Sequence, residues 1–289
     1  MNLMIKVAAV FVAVAALLFF FMRDTLLEAP TTAEAPPATA ASFEKLANLP
    51  GAVGESSGVA VLPQEGHYLT HNDAGNRPYL YKLNKEGKLV ETLKLDIKNV
   101  DWEDLAQDEA GNIYIADTGN NNNRRRDLVV YRMNLENPQQ TEAIHFTYED
   151  QKKFPPSKKE RNFDSEGLFW HDDNLYIITK DRGQGETANV YQIPAQPGNH
   201  KARLIGSYKA ETETEVTGAD ISPDGNTVAL LSEEKIHLFR GFDSPATFFE
   251  GDHDEVSIEG AGQTEGIAFE NNNTLIITSE GGNLYRYSL

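Results

Sequence analysis

Internal repetition constrains this chain more than any other feature. The stretch from Asp101 to Met133 contains three short strand-like runs, DLAQD, NIYIAD and LVVYRM, separated by Gly-Asn and Asp-Thr-Gly-Asn turn chemistry. Four relatives can be laid on it. They begin at Glu55 (ESSGVAV), Asp164 (DSEGLFW), Glu215 (EVTGADIS) and Gln263 (QTEGIAFE), and each is followed by two further runs. Ser57, Glu103, Glu166, Thr217 and Glu265 hold the same place in successive copies, at spacings of 46, 63, 51 and 48. A period near 50 residues built from short strands is the signature of a β-propeller, in which each repeat is one small antiparallel sheet.

Each copy needs an outer fourth strand. The sequence offers Leu89 to Leu95, Ala143 to Tyr148, Ala202 to Tyr208 and Ala246 to Glu250. The last copy ends on its third strand at Leu289, whereas Ser42 to Leu49 precedes the first copy with no sheet of its own. The expectation is therefore an all-β, five-bladed β-propeller over residues 42–289, with 42–49 as the closing strand that removes open edges.

Residues 7–22 form an unbroken apolar run behind Lys6. With Leu3 to Ile5 this run approaches a bilayer span, and the residues just after it lack the small side chains that a signal peptidase prefers. Residues 1–23 therefore read as an uncleaved transmembrane signal anchor, with cleavage near Ala38 to Ala41 as the alternative. Residues 24–41, rich in Pro, Ala and Thr, read as a tether. By the positive-inside rule the body would lie outside the cytoplasm, in the periplasm of a bacterium and anchored to the inner membrane.

Acidic residues outnumber basic ones 44 to 26, and the formal charge of -18 excludes a nucleic-acid backbone as partner. The absence of cysteine removes disulfides, thiolate metal sites and a cysteine nucleophile together. No G-x-S-x-G elbow and no P-loop spacing occurs. The chain reads as a monomer, one ring burying a continuous core.

In a propeller the first strand of each blade lines the central channel, so the five equivalent residues converge on one mouth. Three glutamates there would repel one another while losing water, and either protonation or a bound cation must offset that. Three carboxylates interleaved with two hydroxyls make an all-oxygen set suited to Ca²⁺. A second group, Asp73, Asp117, Asp181, Glu233 and Glu280, ends the second strands on the same face. It reads either as turn chemistry or as part of a ligand site. Basic residues in neighbouring loops, among them Arg124, Arg126, Lys158 and Arg182, could hold an anionic ligand over the cation or could be ordinary solvated charge. His71 is a weaker candidate, as a general base beside Asp73.

The motifs SSGVAV, WEDLAQ, SEGLFW, VTGADI and TEGIAF resemble the corresponding segments of the SdiA-regulated family of membrane-anchored bacterial propellers, over residues 43–289. Their order also resembles that of the calcium-activated nucleotidases. This second resemblance implies Ser57, Glu103, Glu166, Thr217 and Glu265 as ligands of one axial Ca²⁺, with Thr217 standing where the pattern has Ser. Two functions are compatible with these readings. One is a calcium-binding scaffold at the cell envelope that recognises an envelope protein or an anionic small molecule. The other is a Ca²⁺-dependent hydrolase of a phosphoester or lactone. No residue is recognisable as a nucleophile.

Overall fold

A computed structural model describes residues 41–209 and 215–289, and within them the fold is all-β. The strands run as successive antiparallel meanders. The first is β2 (Ser56–Val61), β3 (His67–Asn72), β4 (Tyr79–Asn84) and β5 (Leu89–Lys94). The second is β6 (Trp102–Gln107), β7 (Asn112–Asp117), β8 (Leu128–Asn134) and β9 (Glu142–Tyr148). The third is β10 (Asp164–His171), β11 (Asn174–Lys180), β12 (Thr187–Pro194) and β13 (Gly198–Lys209). The fourth is β14 (Val216–Ile221), β15 (Thr227–Ser232), β16 (Lys235–Arg240) and β17 (Asp252–Ser257). In the last, β18 (Thr264–Asn271), β19 (Thr274–Ser279) and β20 (Asn283–Ser288) are completed by β1 (Ser42–Asn48).

β1 pairs antiparallel with β20 from Ser42 opposite Ser288 to Asn48 opposite Asn283, and Phe43 stacks on Tyr285 at 5.0 Å. The second and third meanders form one eight-stranded sheet, because the first half of the long β13 runs parallel to β9 before its second half pairs with β12.

Each hydrophobic cluster is shared by two consecutive meanders, and the last and first meanders share one as well. The sheets are thus covered on both faces. That explains why β7, β11, β15 and β19 read as largely continuous apolar runs rather than as alternating ones. Of the aromatics that recur in the third strands, Tyr81, Tyr191, Phe239 and Tyr285 are buried in these seams and Tyr131 is half-buried against one; Trp102 is buried as well. Outer strands β5 and β17 are exposed and charged, which protects free edges.

One sequence expectation fails here. Ala246 to Glu250 is not an outer strand but part of a short 3-10 segment, Pro245–Glu250, started by Pro245 and capped by the Ser244 hydroxyl. Its Phe248 is buried against Phe169 and Phe239. The strand itself is the polar DHDEVS that follows. The expected anchor at 1–23 and nearly all of the tether lie outside the described residues. Among the described residues, no helix is long and apolar enough to cross a membrane.

Candidate metal centre at the first-strand bulges

The ladder between first and second strand slips by one residue at the same place in every meander. The shifts fall between Ser56 and Val59, Trp102 and Leu105, Ser165 and Gly167, Val216 and Gly218, and Thr264 and Gly266. Ser57, Glu103, Glu166, Thr217 and Glu265 all lie inside these bulges. A bulge leaves its extra residue unpaired and re-aims the side chain, so one backbone device repeated around the molecule presents all five. The glycine that follows in four copies lets the first strands touch. A Cβ on Gly58 would lie 2.7 Å from the Asp104 Cα, and one on Gly266 would lie 2.8 Å from the Ser57 carbonyl oxygen.

The carboxylates of Glu103, Asp164 and Glu166 are all buried, with oxygens mutually within 4.8 Å, and half-buried Asp73 and Asp101 form a second group at the same spacing with Glu103. The Ser57 hydroxyl donates to the Glu103 carbonyl at 2.8 Å and that of Thr217 to the Thr264 carbonyl at 2.7 Å. Both therefore lace adjacent first strands while their lone pairs stay available. Burial, then the neighbouring Glu166 and Asp164, holds the Glu103 carboxyl well above the usual range. Burial and Asp164 do the same to Glu166 against the pull of Lys180 and Arg182. Burial lifts Asp101 to about 6 and Glu265 to about 7.

Internal cations compensate one side of this cluster. Arg182 donates through Nε to Asp164 at 2.5 Å and through Nη2 to Glu166 at 2.7 Å, and Lys180 Nζ lies 3.5 Å from Glu166. No hydrogen bond or ion pair from a described residue reaches the carboxylates of Asp101, Glu103 or Glu265, so the other side has no such partner. An all-oxygen donor set whose acids are only partly offset by Arg182 and Lys180 fits a hard divalent cation, and Glu103, Asp164 and Glu166 would hold it.

The second-strand acids are not one family. By register, the positions equivalent to Asp73 are Thr118, Lys180, Glu233 and Glu280, so Asp117 and Asp181 each sit one residue away. Asp117 accepts from the amides of Val100 and Asp101 and pairs with Arg125 at 2.9 Å. Asp181 caps its own turn, accepting from the amides of Gly183 and Gln184. Asp73 accepts from the Ala74 amide and joins the second acidic group.

Arg182 is spent on Asp164 and Glu166, and Arg126 lies over the Phe154 ring at 3.8 Å. Arg124 and Lys158 make no side-chain contact with the cluster, although the Lys158 carbonyl packs against Gly183. His71 is corrected outright. It is fully buried, edge-on to Trp102 at 5.5 Å, and burial lowers its pKa to about 4, so it packs between meanders rather than beside Asp73 in an open site.

Sequence reasoning missed Asp164, Lys180 and Asp104. Asp104 stands where the other copies have Gly58, Gly167, Gly218 and Gly266, and that exception was the available signal. It is fully buried and accepts from the amides of Leu105 at 2.8 Å, Leu168 at 2.9 Å and Ala219 at 3.1 Å, joining three first strands. Burial pushes its carboxyl well above the usual range. Lys180 stands where three other copies carry an acid.

Fold and site together define an all-β, propeller-like protein with an acidic mouth able to bind a metal. The chain belongs to the SdiA-regulated family, whose model matches residues 36–288. No curated protein sequence matches it. Among solved structures it is similar to the PQQ-bound aldose sugar dehydrogenase of Streptomyces coelicolor, at 13% identity and a TM-score of 0.52, covering 88% of this chain and 99% of that one. It is also similar to a putative gluconolactonase, at 14% identity and a TM-score of 0.50, covering 86% and 92%. A third is a protein of unknown function from Bacteroides thetaiotaomicron, at 12% identity and a TM-score of 0.50, covering 86% and 76%. At these identities the likeness is one of fold.

Proposed function

We propose that this chain is a five-bladed β-propeller that holds one Ca²⁺ at its acidic mouth and acts as a binding module at the bacterial cell envelope. The observation that supports the reading is the bulge shared by all five first strands, together with the buried Glu103, Asp164 and Glu166 carboxylates, whose oxygens lie within 4.8 Å of one another. The ion would offset the repulsion among Glu103, Asp164 and Glu166 and so pin the first strands to one another. The ring would sit in the periplasm on the tether of residues 24–41, behind the anchor of 1–23. It would be monomeric, and its open face would bind an envelope protein or an anionic small molecule through exposed loop cations such as Arg124 and Lys158.

A second reading, Ca²⁺-dependent hydrolysis of a phosphoester or lactone, draws on one observation. Burial lifts the Asp101 and Glu265 carboxyls of the metal-free protein toward the range suited to general acid–base work. In that case Asp101 or Glu265 would take the proton from an attacking water, and Lys180 would steady the developing charge.

Thermal melting in Ca²⁺ and in chelator tests the shared premise. An ion at about a hundredfold its dissociation constant adds roughly 2.7 kcal/mol, equivalent to about 5–10 °C for a domain of this size. An unchanged melting curve contradicts the site. Turnover of a phosphoester or lactone that needs Ca²⁺ and is lost in Asp101→Asn would move the conclusion to the hydrolase.

A further inference from the structure

The first strands have a second end, and it is built differently. Trp170 lies four residues beyond Glu166 on β10, roughly 13 Å along the strand. There the ends of β2, β6, β10, β14 and β18 surround a cavity of about 500 Å³, a size that suits a small molecule. Its wall is apolar and aromatic, with Val61, Trp170, Ile221 and Phe269, and Trp170 is only partly buried. Its lining also carries Asp108, Glu109, Asp220, Asp224 and Glu270, without a lysine or arginine. His171 is the one group in that lining able to become positive.

Most of these acids are already engaged. Asp108 accepts from Asn112 and the Tyr114 hydroxyl, Asp224 from Ser222, and Glu270 from Tyr68 and Arg286. Asp220 differs. It accepts the Phe269 amide at 2.7 Å, but no side-chain donor and no cation among the described residues reaches it. Burial raises its carboxyl to about 7 against the pull of the Phe269 and Ile221 amides.

We propose that this second mouth is a binding site for an organic cation, a small molecule with a protonated or quaternary amine on an apolar or aromatic body. The amine sits against Asp220 and the body against the partly exposed Trp170, whose ring face also attracts the charge, over the buried Phe269. A bare metal ion would leave the apolar wall without a partner, and an anion would meet only like charge. The site is independent of the metal centre at the other mouth.

The test is a titration of the calcium-saturated protein with benzylamine, with benzyl alcohol as the neutral isostere, read by calorimetry and tryptophan fluorescence. The chain has two tryptophans, and Trp102 is fully buried, so a ligand-dependent signal reports Trp170. Benzylamine should bind saturably and more tightly than benzyl alcohol. Asp220→Asn, which keeps an acceptor for the Phe269 amide, should weaken it by about tenfold or more, the scale of one charge-assisted hydrogen bond. Trp170→Phe should abolish the fluorescence response while calorimetric binding persists. Equal affinity for the alcohol, no saturable binding of benzylamine, or unchanged affinity in a folded Asp220→Asn would each overturn the proposal.

Discussion

The same central strands end in carboxylates at both mouths, yet the company those carboxylates keep is opposite. At the first mouth Glu103, Asp164 and Glu166 crowd together, and the fold supplies Lys180 and Arg182 from the adjacent second strand and its turn. At the second, Asp220 is set into an apolar wall with no lysine or arginine in the lining. The first arrangement concentrates negative charge beyond what its own cations offset, which suits a small divalent ion. The second spreads charge around a hydrophobic space, which suits an organic one. Between them Asp104 binds three first strands together through their amides. The bulge is the structural cause of the difference. It turns the site residues out of the ladder at one end, whereas beyond it regular pairing resumes in all but β18, which slips again after Phe269, and alternate side chains form a wall.

The largest expected effect falls on the residue that joins three first strands. Asp104→Ala leaves the amides of Leu105, Leu168 and Ala219 without their acceptor, at about 1–3 kcal/mol for each buried unsatisfied donor. A loss of about 3 kcal/mol or more in urea unfolding is expected. A loss near zero would mean that Asp104 does not join the strands.

Acid–base behaviour sharpens the contrast next. A carboxyl raised in the folded state binds its proton more tightly there than in the unfolded chain. Its stability contribution is therefore full at low pH and falls as pH rises from the ordinary value of 4.5 through the folded value. With Asp101 near 6, Glu265 near 7, and Glu103 and Glu166 also raised, the metal-free protein should lose stability between pH 5 and about pH 8. A tenfold difference in proton affinity between the folded and unfolded chain is worth about 1.4 kcal/mol. Calcium, which binds the deprotonated groups, should flatten or reverse that slope. Melting curves across this range in chelator and in Ca²⁺ check both signs.

The smallest effects separate spent from free cations. Arg182→Gln removes two charge-assisted bonds from buried acids and should cost about 2 kcal/mol without metal. Arg124→Ala and Lys158→Ala, in exposed loops, should leave the melting temperature within about 1 °C. Equal effects from all three would remove the distinction.

How much of this was legible follows from what repeats. Five copies of one motif exposed the meanders and placed Ser57, Glu103, Glu166, Thr217 and Glu265 at equivalent positions, because a bulge keeps its place in the repeat even where the residue type changes. The exceptions were harder to read. Asp104 and Lys180 gain their meaning from the neighbours they meet across the ring, and a repeat alignment treats them as noise. The register of Asp117 and Asp181 was lost because similar Asp-rich turns can be aligned one residue apart. β17 was hidden because an exposed edge strand needs no apolar pattern, while the buried Phe248 beside it supplied a false one. The second cavity leaves little trace in the sequence, since its wall comes from the far ends of the first strands, where no polar residue type repeats from copy to copy.

Equilibrium Ca²⁺ binding, measured by titration on the wild type, Glu103→Gln and Asp220→Asn, tests the central claim most directly. The account predicts one ion per chain, at least about tenfold weaker binding after loss of the Glu103 charge, and unchanged binding in Asp220→Asn. No saturable binding in the wild type, or equal affinity in all three proteins, would contradict it.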